Sequence, residues 1–539
     1  MSDRRALAFL VALHLAVIAV VAPRGDFPLN DDWAYALAVQ WLLDEGRLRL
    51  PDWVGMNLVP QALAGAAVVS VAGFSFEALR HLTQVVALLA LGAAYAWFRA
   101  ARLEPGAAFA ATAALVAFPG WAILANSFMT DLYGFTFALA AAACFAHAIG
   151  SPTRRWLAAA TAFSVAGVLE RQVVLAIPFA FMVAWLWTRR PLDRGTLVSA
   201  IAPFALTLAA EVAFEAYLAF GPGTPTGHRE AHGRLVTMTL KALTNQDGIT
   251  YWVLGNVAAI PGYLGLFAIG WLAWWGAKGA SPIERRAIVV GGTAIAMMAF
   301  AFGWFPPYRE MWLVDRVGIG PLLLYDTIRA PIPLDRDPRF FWPVLAIPAA
   351  FATAALATRV ATSLGEILRS RAAADPMSVF LVIAIVASLA PFVMTDYFER
   401  YLLVVLPFLF VLWARWGPAA RGAWRIAGAA WLAAAILLSA IATRDYFSWN
   451  RARWDAIHMA ERLGANEDAI DGGYEYNAFR RFERRVPRVP QGKSWWFVAD
   501  DRYVVAFSAV PGYEVVETWK VRALLPRTPK EVMLLRRKG

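Results

Sequence analysis

The chain holds one cysteine, Cys144, so no internal disulfide can form and no cysteine cluster offers a thiolate metal site. Charge is also scarce. Only 17% of residues are Asp, Glu, Lys or Arg, where a soluble domain has about a quarter. No phosphate-cradling Walker loop and no dinucleotide-type glycine motif is present, which argues against a bound nucleotide.

What the chain has in excess is apolar sequence: 60% of its 539 residues are hydrophobic, with a mean hydropathy of +0.52. Apolar runs of about twenty residues recur throughout, the length that crosses a hydrocarbon core. The net charge of +11 does not point to nucleic acid, because the arginines sit in short loops between apolar runs rather than on one continuous basic face. At the start, Arg4 and Arg5 precede a long apolar stretch. Pro23 follows the small residues where cleavage would fall, so residues 1–22 read as an uncleaved anchor.

Orientation follows from the arginines, which favour the cytoplasmic side. Arg4 and Arg5 keep the N-terminus inside, and a first span over about 6–23 runs outward. Segment 57–74 is apolar but rich in Gly and Ala. If 79–98 is the second span, the groups Arg99/Arg102, Arg154/Arg155 and Arg189/Arg190/Arg194 all fall inside, and if 57–74 also crosses, all fall outside. It is therefore expected to lie in the outer interface, within an outer loop 24–78. Further spans at 106–124, 131–149, 156–170, 172–188, 197–219, 252–275, 287–304, 341–359, 377–394, 401–414 and 426–442 bring the total to about thirteen. Helix 156–170 is short, which would recess the tip Glu170-Arg171-Gln172 below the outer surface. Residues 1–442 then form the transmembrane domain, and 443–539 a small soluble α/β domain outside. That tail is expected to hold a helix over 449–463 stopped by Gly464, and strands at 495–499, 503–508, 513–519 and 531–535.

Acidic residues gather at the outer helix ends. Asp31 and Asp32 follow the first span, Asp131 opens the fourth, Glu170 and Arg171 tip a hairpin, and Asp396, Glu399 and Arg400 precede the twelfth. One ionisable group at a boundary costs little and means little, but their convergence on one face is a stronger signal. Asp31 and Asp32 are adjacent, so they cannot share a helix face. The two roles on offer are a base that takes a proton from an acceptor hydroxyl and a cap on the helix starting near Trp33. Tyr35 is either an interfacial aromatic or a hydrogen-bond partner for a sugar or phosphate. Asp131 either offsets a helix dipole or joins the site. Arg171 and Arg400 lie at matching depth, where a guanidinium grips phosphate oxygens in pairs, although Asp396 or Glu399 would also pair with Arg400. Glu170, Asp396, Tyr401 and Glu215 are secondary candidates. Glu211 and Glu215 are one turn apart, and line a cavity or pair with an arginine. His228 and His232 have the i, i+4 spacing of metal ligands without an evident third ligand, which argues against a metal there.

Three motifs, taken in order, resemble a known family. They are Asn30-Asp31-Asp32-Trp33-Ala34-Tyr35 after the first helix, Phe128-Met129-Thr130-Asp131 opening a later one, and the run from Arg400-Tyr401 to Pro407. Over roughly residues 1–415 they resemble the GT-C superfamily of membrane glycosyltransferases, in particular the protein O-mannosyltransferase and lipid A aminoarabinose transferase branch. The resemblance implies an all-α polytopic GT-C-like fold with the small C-terminal α/β domain appended. It implies inverting transfer of a sugar from a polyprenyl-phosphate donor to a hydroxyl-bearing lipid, glycan or protein, at the outer face of a bacterial inner membrane. By position, Asp31 matches the base or acceptor-orienting carboxylate, and Asp32 stands where the family more often has Glu. Asp131 matches a carboxylate near the acceptor or an optional divalent cation (Mg or Mn), which Asp31 and Asp131 would share. Arg171 stands where many relatives have Lys, and Arg400 matches the residue that grips the donor phosphate, with Tyr35 beside it. No Trp-Trp-Asp signature is present, which disfavours an oligosaccharyltransferase. The rival reading, a flippase of lipid-linked sugars, predicts charges spread through the membrane depth and favours internal repeats, neither of which the sequence has. The tail is expected to cap the outer cavity and bias acceptor choice without supplying a catalytic residue.

Overall fold

The computed structural model describes residues 1–151, 153–189, 192–244, 249–308, 313–315, 318–319, 341–395, 397–417, 419–482, 498, 500–526 and 528–539. The fold is a helical bundle with a small C-terminal sheet. Among the described residues, nine helices are long and apolar enough to cross a membrane, the first Asp3–Val21 and the last Ala423–Arg462. The sequence suggested about thirteen, and the four shortfalls have local causes. Expected span 106–124 breaks at Pro119-Gly120 into helices Pro105–Val116 and Trp121–Leu124. Expected span 156–170 is helix Arg154–Val168, whose 15 residues reach only ~22 Å, short of a ~30 Å core. Its partner begins as a 3₁₀ turn, Gln172–Leu175, ahead of helix Ala176–Thr188. Expected span 401–414 starts as 3₁₀ (Glu399–Val404) and becomes α-helical at Leu406–Ala414, with Pro407 at its start.

The segment expected to lie flat is helix Val59–Ala72, ~21 Å long and too short to cross. The tip of the neighbouring hairpin, at Leu169 and Glu170, receives its first N–H groups. Val59 N donates to Leu169 O (2.9 Å), and Gln61 N donates to a Glu170 carboxylate oxygen (3.0 Å). Two other helix starts carry side-chain caps of the usual kind: Ser75 Oγ accepts from Glu77 and Ala78, and Ser281 with Glu284 forms a capping box.

Helix Ala423–Arg462 has 40 residues, or ~60 Å, so about half of it projects beyond a hydrocarbon core. The separate helix expected over 449–463 is thus the continuation of the last span. Gly464 ends it as expected, in a left-handed conformation that donates to Glu461 O (2.9 Å). The tail strands are β1 (Ile470–Asp471), β2 (Tyr503–Ala506), β3 (Tyr513–Lys520) and β4 (Glu531–Arg537). They form one sheet in the order β1-β2-β4-β3, parallel between β1 and β2 and antiparallel elsewhere. The strand expected at 495–499 lies almost wholly outside the described residues.

Helix Tyr474–Arg481 carries the tail back onto the bundle through aromatic contacts. Phe482 packs 5.3 Å from Trp33, and Phe479 5.2 Å from Phe76, between ring centres. Beneath them, buried Arg453 pairs with Glu475 at 2.8 Å. Glu475 also accepts from Asn30 N (3.1 Å) and Tyr446 Oη (3.3 Å). Removing one partner of a buried pair strands the other charge, at a cost of about 3–5 kcal/mol. Arg453→Met is therefore expected to loosen the tail and speed its release by limited proteolysis, whereas an exposed change such as Arg462→Gln leaves that rate unchanged.

Candidate active site

Asp31 stands at the N-cap position of helix Asp32–Glu45, yet its side chain makes no capping bond. Asn30 before it takes a left-handed φ of 53°, which asparagine tolerates better than most residues, and this kink turns Asp31 inward. Asp31 Oδ1 accepts from Tyr474 Oη (2.5 Å) and Trp53 Nε1 (3.0 Å). Its Oδ2 faces Asn30 Nδ2 (3.3 Å) and Arg400 Nη2 (3.5 Å).

The adjacent Asp32 has a structural role. Its oxygens accept from Leu29 N (2.6 Å) and Phe128 N (3.4 Å), which fastens the Asp31 loop to the loop that carries Asp131. Asp31 thus points to Arg400 and Tyr474 while Asp32 holds loop N–H groups, and the expected cap on the helix starting near Trp33 is made by neither side chain.

Asp131 lies in the first turn of helix Asp131–Gly150, and the preceding Thr130 makes no side-chain cap. Thr130 Oγ1 instead accepts from Arg171 Nη1 (3.0 Å). Asp131 Oδ1 pairs with that same Nη1 at 2.8 Å and lies 3.8 Å from Arg400 Nε, while Oδ2 has no partner among the described residues. Gly134 lets Arg171 lie across this helix, since a Cβ there would meet its Cδ, Cγ and Cβ at 3.0–3.3 Å. Tyr401 offers its ring face to both arginines, 4.7 Å from Arg171 and 5.4 Å from Arg400. Asp131, Arg171, Arg400 and Tyr401 line a cavity of about 30 Å³, room for about one water. Arg400 is 2% exposed and joins this cavity to Asp31. Among the described residues, two carboxylates and two guanidinium groups thus form a continuous run, Asp31–Arg400–Asp131–Arg171, drawn from four distant segments.

The other candidates separate. Tyr35 is buried within electrostatic reach of Asp31, Arg400, Tyr401 and Asp131. Glu215 pairs with buried His228 at 2.6 Å, and Glu211 accepts from Asn57 Nδ2 at 2.5 Å, so both brace the loops beside the site. Glu399 accepts from Leu313 N rather than pairing with Arg400. Asp396 lies outside the described residues.

Glu170 points away from the cavity to the start of helix Val59–Ala72. One of its carboxylate oxygens accepts from Gln61 N there (3.0 Å), so it holds that helix start rather than the cavity.

A divalent ion shared by Asp31 and Asp131 would have to displace Arg400, which stands between them. Among the described residues, no group of three or more His, Cys, Asp or Glu side chains comes together to hold one. The arrangement therefore does not suit an ion at this place.

Trp53 and Tyr474 are site residues that sequence reasoning missed. Tyr474 is the more consequential, because it brings the tail into direct contact with Asp31. Burial, and then the charge of Asp31, push its phenol well above the ordinary range, so it stays a donor to Asp31. Asp471-Gly472-Gly473 was the available signal. Gly473, with φ of 90°, makes the turn that launches Tyr474 towards the bundle.

No family model and no curated protein matches this chain. In shape it is similar, over 98% of its length and 97% of theirs, to two structures of ArnT from Cupriavidus metallidurans, one bound to undecaprenyl phosphate and one in the apo state, each at 15% identity and a TM-score of 0.39. It is also similar to the Archaeoglobus fulgidus oligosaccharyltransferase in complex with Zn and sulfate, over 77% of this chain and 54% of that one, at 13% identity and a TM-score of 0.30.

Proposed function

We propose that the chain is an inverting GT-C-type glycosyltransferase that moves a sugar from a polyprenyl phosphate to a hydroxyl-bearing acceptor, at the outer face of a bacterial inner membrane. The N-terminus is cytoplasmic in this reading, residues 1–442 carry the donor and its chemistry, and 443–539 close the site from outside. The observation that carries it is the pairing of Asp31 with Arg400, 3.5 Å apart, beside the buried Asp131–Arg171 pair. A base and two phosphate-binding cations in contact are what transfer from a lipid phosphate requires.

In that reaction the acceptor oxygen bonds to the sugar's anomeric carbon from the face opposite the phosphate. Its proton passes to Asp31, and the carbon–oxygen bond to phosphate breaks. Arg400 and Arg171 meet the charge that grows on the departing phosphate. The 3.5 Å contact of Arg400 with Asp31 is at the outer limit of a hydrogen bond, so a phosphate draws Arg400 away readily. Asp31 then remains held by Tyr474 and Trp53.

The test is transfer of labelled sugar from synthetic polyprenyl-phosphate donors by purified protein in nanodiscs, with an envelope extract as acceptor. Donor carried between leaflets of a proteoliposome without being consumed would instead establish the flippase reading.

Tyr474 acts on this chemistry as a positioning residue. Hydrogen bonds to a charged group contribute about 1.5–3 kcal/mol. Tyr474→Phe is expected to lower turnover by about 10–100-fold with donor affinity unchanged. Turnover equal to wild type in a folded Tyr474→Phe protein would make the contact merely structural.

A further inference from the structure

A second polar cavity lies well apart in composition from the Asp31 network. Where the last span becomes wet, Arg444, Ser448, Arg451 and Asp455 form a stripe along helix Ala423–Arg462. This stripe faces Lys520 at the end of β3 and Arg522 just beyond it, across a cavity of about 410 Å³. Four cations therefore line it against one carboxylate, Asp455.

The pocket is built rather than incidental. Buried Asp445 accepts from Leu524 N (2.9 Å), Leu525 N (2.7 Å) and Thr528 Oγ1 (2.9 Å), which clamps the loop after Arg522 to the helix. Ser448 Oγ donates to Arg522 O at 3.4 Å. Arg451 Nη1 donates to Ala22 O (3.5 Å) and Arg24 O (3.4 Å), at the C-terminal end of helix Asp3–Val21. That end is opposite Arg4 and Arg5, so the preference of arginine for the cytoplasmic side, which accounts for those two, does not account for this set. Like charges gathered around one cavity repel, and an anion bound among them relieves that repulsion. Arg444 follows the apolar stretch of its helix by two residues, which sets the pocket at the level of lipid headgroups.

We propose that this pocket binds a phosphate group, carried by an anionic lipid at the membrane surface. Guanidinium groups suit phosphate oxygens, and the fixed loop leaves little to order on binding. The proposal does not depend on the glycosyltransferase reading, since none of these residues touches the Asp31 network.

The experiment uses full-length protein in detergent, with affinities for short-chain phosphatidic acid, short-chain phosphatidylcholine and inorganic phosphate read by microscale thermophoresis. Phosphatidic acid is expected to bind at least about tenfold more tightly than phosphatidylcholine and to weaken in 0.5 M salt. Arg444→Gln combined with Arg522→Gln should lose about tenfold or more of that affinity, and Arg444→Lys with Arg522→Lys should retain part of it. Binding of phosphatidic acid far above inorganic phosphate assigns the lipid as the source. Equal binding of the two assigns the free ion and keeps the phosphate site. Equal binding of phosphatidic acid and phosphatidylcholine by the wild-type protein, unaffected by salt, overturns the proposal even if the Gln variants fail to fold.

Discussion

Asp31→Asn is expected to lower sugar transfer by about 10²–10⁴-fold, or about 3–5 kcal/mol in the barrier, with little change in donor affinity. The reason lies in how the carboxylate is held. Asn keeps an oxygen for the bonds from Tyr474 and Trp53, so its place in the site survives. What disappears is the proton acceptor. The amide would face Arg400 with N–H groups where Oδ2 now stands, and this frees the arginine for the donor rather than tying it down. Donor binding and single-turnover transfer, measured on the same folded preparation, separate the two effects. Unchanged turnover would remove Asp31 from the mechanism and leave Asp131, with its unpartnered Oδ2, as the candidate base. If Asp31, Asp32 and Asp131 could each be neutralised without loss of turnover, the glycosyltransferase reading would fall.

The central part of this site was legible because it depends on features that sequence carries. Asp31, Asp131, Arg171 and Arg400 each follow or open an apolar run, and the arginine pattern placed all four at one end of the bundle. Shared depth permits their contact, and the packing brings Arg400 to Asp31 and Asp131, and Arg171 to Asp131. Which member of the Asp31-Asp32 pair faces the site was not legible, because the answer depends on Leu29 N and Phe128 N, backbone donors whose direction no pattern reveals. Tyr474 was hidden for a different reason: its contact with Asp31 joins residues 443 positions apart and needs the path by which the tail folds back. Expected spans and uninterrupted helices diverge mainly where proline-bearing residues sit inside apolar stretches. Hydropathy averages over Pro119-Gly120 and Pro407, while the backbone cannot. The reverse occurred after Ala442, where the last span was expected to end and a separate helix to begin at 449, although one helix runs on to Arg462.

Arg400→Ala is expected to have the widest effect of any single change, reducing both donor affinity and turnover. Among the described residues, Arg400 pairs with both Asp31 and Asp131, and it is nearly inaccessible to solvent. Its loss removes a charge-assisted partner from the donor phosphate, and such a bond contributes about 1.5–3 kcal/mol, so affinity should drop about 10–100-fold. Turnover should fall further, because charge on the leaving phosphate is greatest in the transition state, where a missing donor costs about 10²–10³-fold. The truncation also takes a buried positive charge away from both Asp31 and Asp131, so the thermal midpoint must be measured alongside. Arg400→Lys keeps the charge and hence the balance, but it lacks the planar fork, and it should restore donor affinity more fully than turnover. That ordering is the diagnostic result. A purely structural arginine would instead be rescued by lysine in both measurements together, in step with recovered stability, and such an outcome would place the phosphate-binding role on Arg171 alone.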